Sequence, residues 1–378
     1  MSVTNPAMPS TSYSRLTSPR FIKLCVANWL LHLYVFSMPA LLDAGYGQSG
    51  AGHAPTGWAV LAFALGMVLP GPLGAWLMEQ RSRKGVFLRA MLLLGLLPTW
   101  GYANLPLPVW GIALHGLQGV AFGIAQTALG TTLVNDLLPS NQRSQGDVRY
   151  AWAGRLGIPM GLVCGLLLAH FVPLPAAFWW TLLPCAASFL LVAQTEIPVK
   201  APVKVPLFTL DRFFWPGSWR LSLTLFAAPW LLGRLAGTES CGLFPCCAMV
   251  AGTLTAFLLQ RLLCRSFSPT LSVSLCYILL LPALLWTSLG GEVQLLAGSF
   301  LIGLGVSEVS SRHLSCWVKQ AEHCQRGTAQ STYMLSWRIS FALGFAASAS
   351  QAFALGLPDI ILSLISLLVA ITLKVFSK

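Results

Sequence analysis

Apolar runs of about 20 residues recur along this 378-residue chain, each closed by a short polar or Pro/Gly-rich break. At about 1.5 Å of helical rise per residue, one such run crosses a hydrocarbon core of about 30 Å. The pattern predicts twelve spanning helices, at residues 21–42, 56–78, 85–104, 108–136, 148–170, 175–195, 219–237, 241–263, 269–289, 293–317, 329–355 and 358–376. Residues 1–18 are rich in Ser, Thr and Pro and lack the apolar core of a cleavable signal sequence, so they read as a tail that stays in the cytoplasm.

The twelve runs divide into two related sets. Gln142-Arg143, Tyr150, Arg155 and Gly161 recur as Gln325-Arg326, Tyr333, Arg338 and Gly344, and Gly71-Pro-Leu-Gly-Ala-Trp-Leu77 is echoed by Gly252-Thr-Leu-Thr-Ala-Phe-Leu258. A constant offset between two stretches is the mark of an internal repeat. The expected organisation is a tail (1–20), a first six-helix half (21–195), a Pro-punctuated cytoplasmic linker (196–218) and a second six-helix half (219–378). The apolar end of that linker, Phe208 to Trp215, is expected along the membrane interface, as are Trp58, Trp100, Trp110, Trp219 and Trp286 near the span ends.

Lys and Arg fix the orientation, because positively charged loops stay in the cytoplasm. Arg20 and Lys23 flank the start of the first span, Arg81 to Arg89 follow the second, Arg143 and Arg149 the fourth, and Lys204 to Arg220 the sixth. Arg261 and Arg265 follow the eighth, Lys319 and Arg326 the tenth, and Lys378 the twelfth. The opposite loops hold Asp43, His53, Glu239, Glu292 and Asp359 but no Lys or Arg. Both termini are therefore expected in the cytoplasm, and the two repeats sit the same way up.

Composition narrows the class further. Hydrophobic residues make up 56% of the chain and charged residues 9%, and the mean hydropathy is +0.71. That balance belongs to a multi-pass membrane protein. The net charge of +12 is dispersed between apolar runs, which does not make a nucleic-acid surface. Ten cysteines stand without CxxC or Cys/His metal spacing and read as small packing residues. No phosphate-binding GxxxxGK[ST] loop, HExxH or G-x-S-x-G turn occurs. The chain is not expected to be an enzyme or to need a cofactor, and the energy for any transport would come from a gradient such as that of protons.

Five short stretches carry a family resemblance. The loop after the second span, Ala75-Trp-Leu-Met-Glu79-Gln-Arg81-Ser-Arg83-Lys84, resembles the G-x-x-x-D-[RK]-x-G-[RK]-[RK] pattern of the major facilitator superfamily, with Glu79 replacing Asp and Ala75 and Ser82 replacing the glycines. His115-Gly-Leu-Gln118-Gly119-Val-Ala-Phe-Gly123 is similar to its R-x-x-Q-G-x-x-x-G pattern, with a titratable residue at the usually basic position. Asp136 to Gly146 looks like its P-x-x-x-R-[GS]-x-G turn, and Gly157-Ile-Pro159 loosely resembles an antiporter bend. Ser18 to Asn28 is similar to first spans of bacterial efflux-type members. The resemblance implies an all-α membrane protein of twelve helices in two parallel six-helix repeats. It also implies a bacterial inner-membrane location, a monomer in the bilayer, a small-molecule substrate, and a cytoplasmic gating loop carried by Glu79, Arg83, Lys84, Arg143 and Arg326.

Ionisable groups at membrane depth are costly, so they are the candidates for chemistry. His32 lies one turn from Asn28, and His115, Gln118 and Gln126 share one face of the fourth span. These residues belong to spans that line the cavity in the family, and histidine titrates near physiological pH. The second set offers Arg234, Glu308 and Arg338, joined from the first by Arg155. Glu308 is expected to pair with Arg338 or Arg312. The surplus arginines would then attract an anion, or Arg155 and Arg338 would form a gate. The leading transport reading is proton-coupled export of a small organic molecule by an antiporter, and the runner-up is symport, exchange or uniport of an organic anion. A transport-inactive receptor or scaffold is the alternative from another class.

Overall fold

The protein is seen in a computed structural model, which describes residues 16–197, 204–262, 268–288, 291–322, 325–350 and 357–372. Among them each predicted run falls on a helix. The first six rods are α1 (Pro19–Gln48), α2 (Ala54–Gln80), α3 (Arg83–Asn104), α4 (Leu107–Leu137), α5 (Arg143–Phe171) and α6 (Leu174–Ala193). The second six are α7 (Trp219–Ala236), α8 (Leu243–Leu262), α9 (Pro269–Ser288), α10 (Glu292–Gln320), α11 (Arg326–Ala349) and α12 (Leu357–Thr372). By length and composition α1 to α6, α8 and α10 can cross a membrane. The polar load of α7 and α11, which carry Arg234 and Arg338, lowers their mean hydropathy.

Several rods depart from regular helix for local reasons. Pro70 and Pro72 lack a backbone N–H, and α2 tightens to a 3-10 turn at Gly71–Leu73. In α4 the segment Thr127–Leu133 widens to a π-helix. There Thr127 donates to the Gly123 carbonyl (2.9 Å) and Thr131 to that of Thr127 (2.6 Å), a back-bonding that loosens the regular ladder. Wide turns of this kind recur beside functional sites, and this one lines the central cavity described below.

Packing follows one rule twice. α1 packs on α5, α2 on α4, and α3 on both α4 and α6; six helices later, α7 packs on α11, α8 on α10, and α9 on both α10 and α12. Close approach at these crossings requires glycine. A Cβ added at Gly119 of α4 would lie 2.1 Å from the Phe63 carbonyl oxygen of α2, and one at Gly303 of α10 would lie 2.4 Å from that of Met249 in α8. Small residues of this type bring membrane helices into backbone contact. The two sets meet where α2 touches α11 and where α5 touches α8 and α10.

The outward-facing surface is apolar, as lipid requires. Leu65, Leu93, Leu183, Leu258 and Leu368 are all more than half exposed, and so are Trp58 and Trp219. The loops rich in Lys and Arg lie where α1 begins and α2 ends; this end is called the basic face below. Residues 1–15 and 198–203, parts of the expected tail and linker, lie outside the described residues.

Candidate functional site

The polar side chains of α1, α4, α5 and α11 converge where the two sets meet. Asn28 Nδ2 donates to the Tyr150 carbonyl (2.9 Å), Gln126 Nε2 donates to Asn28 Oδ1 (2.9 Å), and the Tyr150 hydroxyl donates to Gln126 Oε1 (3.2 Å). One turn along α1, His32 Nδ1 donates to the Asn28 carbonyl oxygen (2.8 Å), an atom that only accepts. That contact fixes the tautomer. Nε2 is then the acceptor for Arg338 on α11, at 3.0 Å.

Arg338 is 8% exposed and lies at the junction of two cavities. Toward the basic face is a polar cavity of about 40 Å³, lined among others by Gln126, Thr127, Tyr150, Gln330 and Phe213. Away from it is an apolar one of about 20 Å³, lined among others by Phe36, Phe63, His115 and Phe341. The guanidinium stacks over the Phe122 ring (4.5 Å to the centroid) and reaches the Met67 sulfur at 4.0 Å. Among the described residues no Asp or Glu lines either cavity.

Of the remaining expected site residues, only His115 touches this centre, from the wall of the apolar cavity. It donates through Nδ1 to Gln118 Oε1 (2.7 Å), which also accepts from the Tyr102 hydroxyl (2.8 Å), while Gln118 Nε2 donates to the Tyr34 hydroxyl (2.8 Å). This network ties α1, α3 and α4 together. The two tyrosines had no signal in the sequence beyond their position inside apolar runs.

The other charged candidates have separate occupations. Arg234 forms a forked ion pair with Asp359 of α12 (3.1 and 3.3 Å), and both residues are 1% exposed. Trp230 Nε1 adds a third hydrogen bond to that carboxylate (2.8 Å), and Arg234 also donates to Ser348 (3.1 Å). The expectation that Arg234 serves the cavity is corrected on this point, as is the placing of Asp359 in a loop. A carboxylate and a guanidinium that neutralise each other fit inside the bundle. Glu308 meets Arg312 one turn along its own helix (2.7 Å), so no acid is shared with Arg155 or Arg338. Arg155 reaches the carbonyls of Ser307 (3.5 Å) and Ser310 (3.4 Å) across the seam and stacks near Trp152.

At the basic face the gating-loop residues are only partly brought together. Glu79, 4% exposed, accepts from Arg83 (2.6 Å) and from Arg212 of the linker, and Arg83 also pairs with Asp136 at the end of α4. Lys84 instead donates to the carbonyls of Ala193, the last residue of α6 (2.5 Å), and of Thr195 just beyond it (2.9 Å). Arg143 donates to Leu138 (3.3 Å), and Arg326 Nε is without a hydrogen-bond partner. Arg212, at φ 59°, was missed by sequence reading, because linker charge reads as solvated. Around it the linker threads between the sets: Thr209 N donates to the Pro72 carbonyl (3.0 Å), Trp215 N donates to Thr332 (2.8 Å), and Phe213 turns inward to the polar cavity rather than along the interface. Asp147 on α5 was also missed; it is 1% exposed, and both carboxyl oxygens are without a hydrogen-bond partner.

The sequence model of the Major Facilitator Superfamily matches residues 21–345. The chain belongs to the major facilitator superfamily. Solved structures similar to this transporter include the human organic anion transporter MFSD10 (TETRAN), with a TM-score of 0.67, 19% identity and coverage of 93% of this chain and 100% of that one. The nucleoside transporter NupG (TM-score 0.63, 12% identity, 95% of this chain and 98% of that one) and the E. coli fucose:proton symporter FucP (0.63, 15%, 95% and 98%) are similar over nearly the same length. At these identities the likeness is one of fold. No match is found among curated proteins.

The opposite face of this facilitator carries a further inter-set contact. His53, before α2, pairs through Nδ1 with Asp43 and donates through Nε2 to the Gly237 carbonyl at the end of α7 (2.8 Å). A carboxylate on one nitrogen and a carbonyl on the other call for the imidazolium form. The hydrogen bond to Asp43, and to a smaller degree the Gly237 carbonyl and the charges of Asp43 and Glu239, raise the His53 pKa above its ordinary 6.5 against the lowering effect of burial. A raised value means that the contact is fully held below about pH 6.5 and is lost as pH rises through the raised value. Spin-label distances between the outer ends of α2 and α7 are expected to shorten at acid pH and lengthen at alkaline pH in wild type. In His53→Gln the distances are expected not to change with pH; a pH response kept in that variant would refute the contact as its source.

Proposed function

We propose that this transporter moves a small organic anion together with a proton by alternating access, the α1–α6 and α7–α12 sets rocking about Arg338. The observation that carries this reading is the charge balance. Arg83, Arg212, Arg234 and Arg312 each meet a carboxylate, whereas among the described residues the cavity-facing Arg338 meets only a neutral histidine, a thioether and an aromatic face. An un-neutralised buried cation costs several kcal/mol, and an anionic ligand offsets that cost. The guanidinium fork suits a carboxylate or phosphate oxygen pair, and Phe36, Phe63 and Phe341 suit an apolar or aromatic body.

Coupling to protons rests on His32. While Arg338 holds Nε2, a proton has no place there. A substrate carboxylate that draws the guanidinium away frees Nε2, and an imidazolium at that position then faces the substrate's negative charge. Proton and anion therefore favour each other's binding and travel in the same direction. Exchange of a cationic molecule against protons, one form of the export expectation, needs a cavity carboxylate for which the two compete, and among the described residues neither cavity offers one. Support comes also from the range of this fold, whose solved structures include an organic anion transporter and a fucose:proton symporter. Positive loop charge supports placing the basic face in the cytoplasm.

Proteoliposomes test the reading. Saturable flux of aromatic or aliphatic carboxylates, accelerated by a proton gradient in the same direction, is expected, with no flux of lipophilic cations. His32→Gln should keep carboxylate exchange and lose the acceleration. Cation flux without anion flux would overturn the proposal, and absence of saturable flux for both panels would favour a receptor or scaffold.

A further inference from the structure

A cavity larger than the two around Arg338 lies near the basic face, on the seam between α5 and α8. Its volume is about 390 Å³, within the range of small-ligand sites, and it shares no lining residue with the two cavities around Arg338. Phe21, Ile22 and Cys25 of α1, Trp152 and Leu156 of α5, and Leu254 and Phe257 of α8 make its walls apolar. Two arginines, Arg149 of α5 and Arg261 of α8, complete the lining. Both are exposed, and no ion pair holds either of them among the described residues. Arg261 stacks on Phe257, 4.4 Å from the ring centroid, so its stem lies along the apolar wall.

We infer that this trough is a binding site for an anionic phospholipid of the leaflet at the basic face, one acyl chain lying along Ile22, Trp152, Leu156 and Leu254, and the phosphate between Arg149 and Arg261. Charge and depth together favour this occupant. Arg149 sits two turns into α5 and Arg261 at the last turn of α8, both at the basic-face end, the level at which lipid phosphates lie when α1 and α5 span the bilayer. Exposed Ile22 and Leu254 open the apolar wall toward the lipid. Residues 1–15, which precede the Leu16 and Thr17 lining, hold no Asp or Glu and so bring no complement to the two arginines. The pseudo-equivalent seam, between α11 and α2, is instead occupied by this chain's own linker through Phe213 and Arg212. One seam is thus closed by protein and the other by lipid. A lipid held there contacts α1, α5 and α8 at once and bridges the two sets of helices. The inference does not depend on the sign of the transported substrate.

The test is competitive lipid retention by the full-length purified protein, read by native mass spectrometry with phosphatidylglycerol and phosphatidylcholine of identical chains. Wild type is expected to retain phosphatidylglycerol by about tenfold or more over phosphatidylcholine, because each of the two basic side chains attracts the anionic headgroup. Arg149→Gln/Arg261→Gln should lose that preference while eluting as wild type in size exclusion. Ala153 of α5 also lines the trough, and Ala153→Phe, which fills it, should lower retention of both lipids. Equal retention of the two lipids by wild type overturns the inference, as does a preference that survives in the double arginine variant. Tight binding of soluble glycerol phosphate, equal to that of the lipid, also overturns it, because the apolar trough would then contribute nothing.

Discussion

Arg338→Gln is expected to abolish anion transport and anion binding while leaving the fold intact. A hydrogen bond to a charged group contributes about 1.5–3 kcal/mol, or roughly a tenfold to hundredfold change in affinity, and a forked pair loses two of them. Stabilisation of wild type by carboxylates in thermal-shift measurements should vanish in the variant. Its melting temperature without ligand should equal or exceed that of wild type, because Arg338 is a buried cation without a carboxylate, 8% exposed. Arg338→Lys keeps the charge but loses the fork and the stacking on Phe122, and should fall between the two. A large drop in melting temperature with carboxylate stabilisation retained would return Arg338 to a structural role.

The opposite result is expected at Arg234. Arg234→Met leaves Asp359 buried with only Trp230 as a side-chain donor from α7, and truncating one partner of a buried ion pair costs about 3–5 kcal/mol. A pronounced fall in melting temperature at fixed scan rate should follow, with carboxylates still binding to whatever fraction folds. Replacing both partners, Arg234→Met with Asp359→Leu, should recover most of the loss, because no uncompensated charge remains. Equal stability of wild type and Arg234→Met would show that the pair does not hold α7 against α12. Arg234 and Arg338 are both buried arginines of the second repeat, and they separate cleanly by this pair of experiments.

Much of the architecture was legible from the chain. Hydropathy is a local property, and a run of about 20 apolar residues can be satisfied in a bilayer only by closing its own backbone hydrogen bonds. For that reason the twelve helices and the family were already visible in the runs, the repeat and the loop motifs. The shortlist of buried ionisable groups was legible for the same reason, since each stood out against an apolar run. Their partners were not. Arg234 meets Asp359 across 125 residues, Arg338 meets His32 across 306, and Glu308 turns to its own helix. Asp359 read as a loop acid because a charge at the edge of a run marks a boundary unless something neutralises it. A single residue of error in helix register rotates a side chain by about 100°, enough to move it from cavity to lipid. Which arginine is paid by a carboxylate and which stays open to a ligand was therefore decided only by tertiary packing, where glycine-lined crossings set the rotation of each helix and the linker brought Arg212 and Phe213 to the seam.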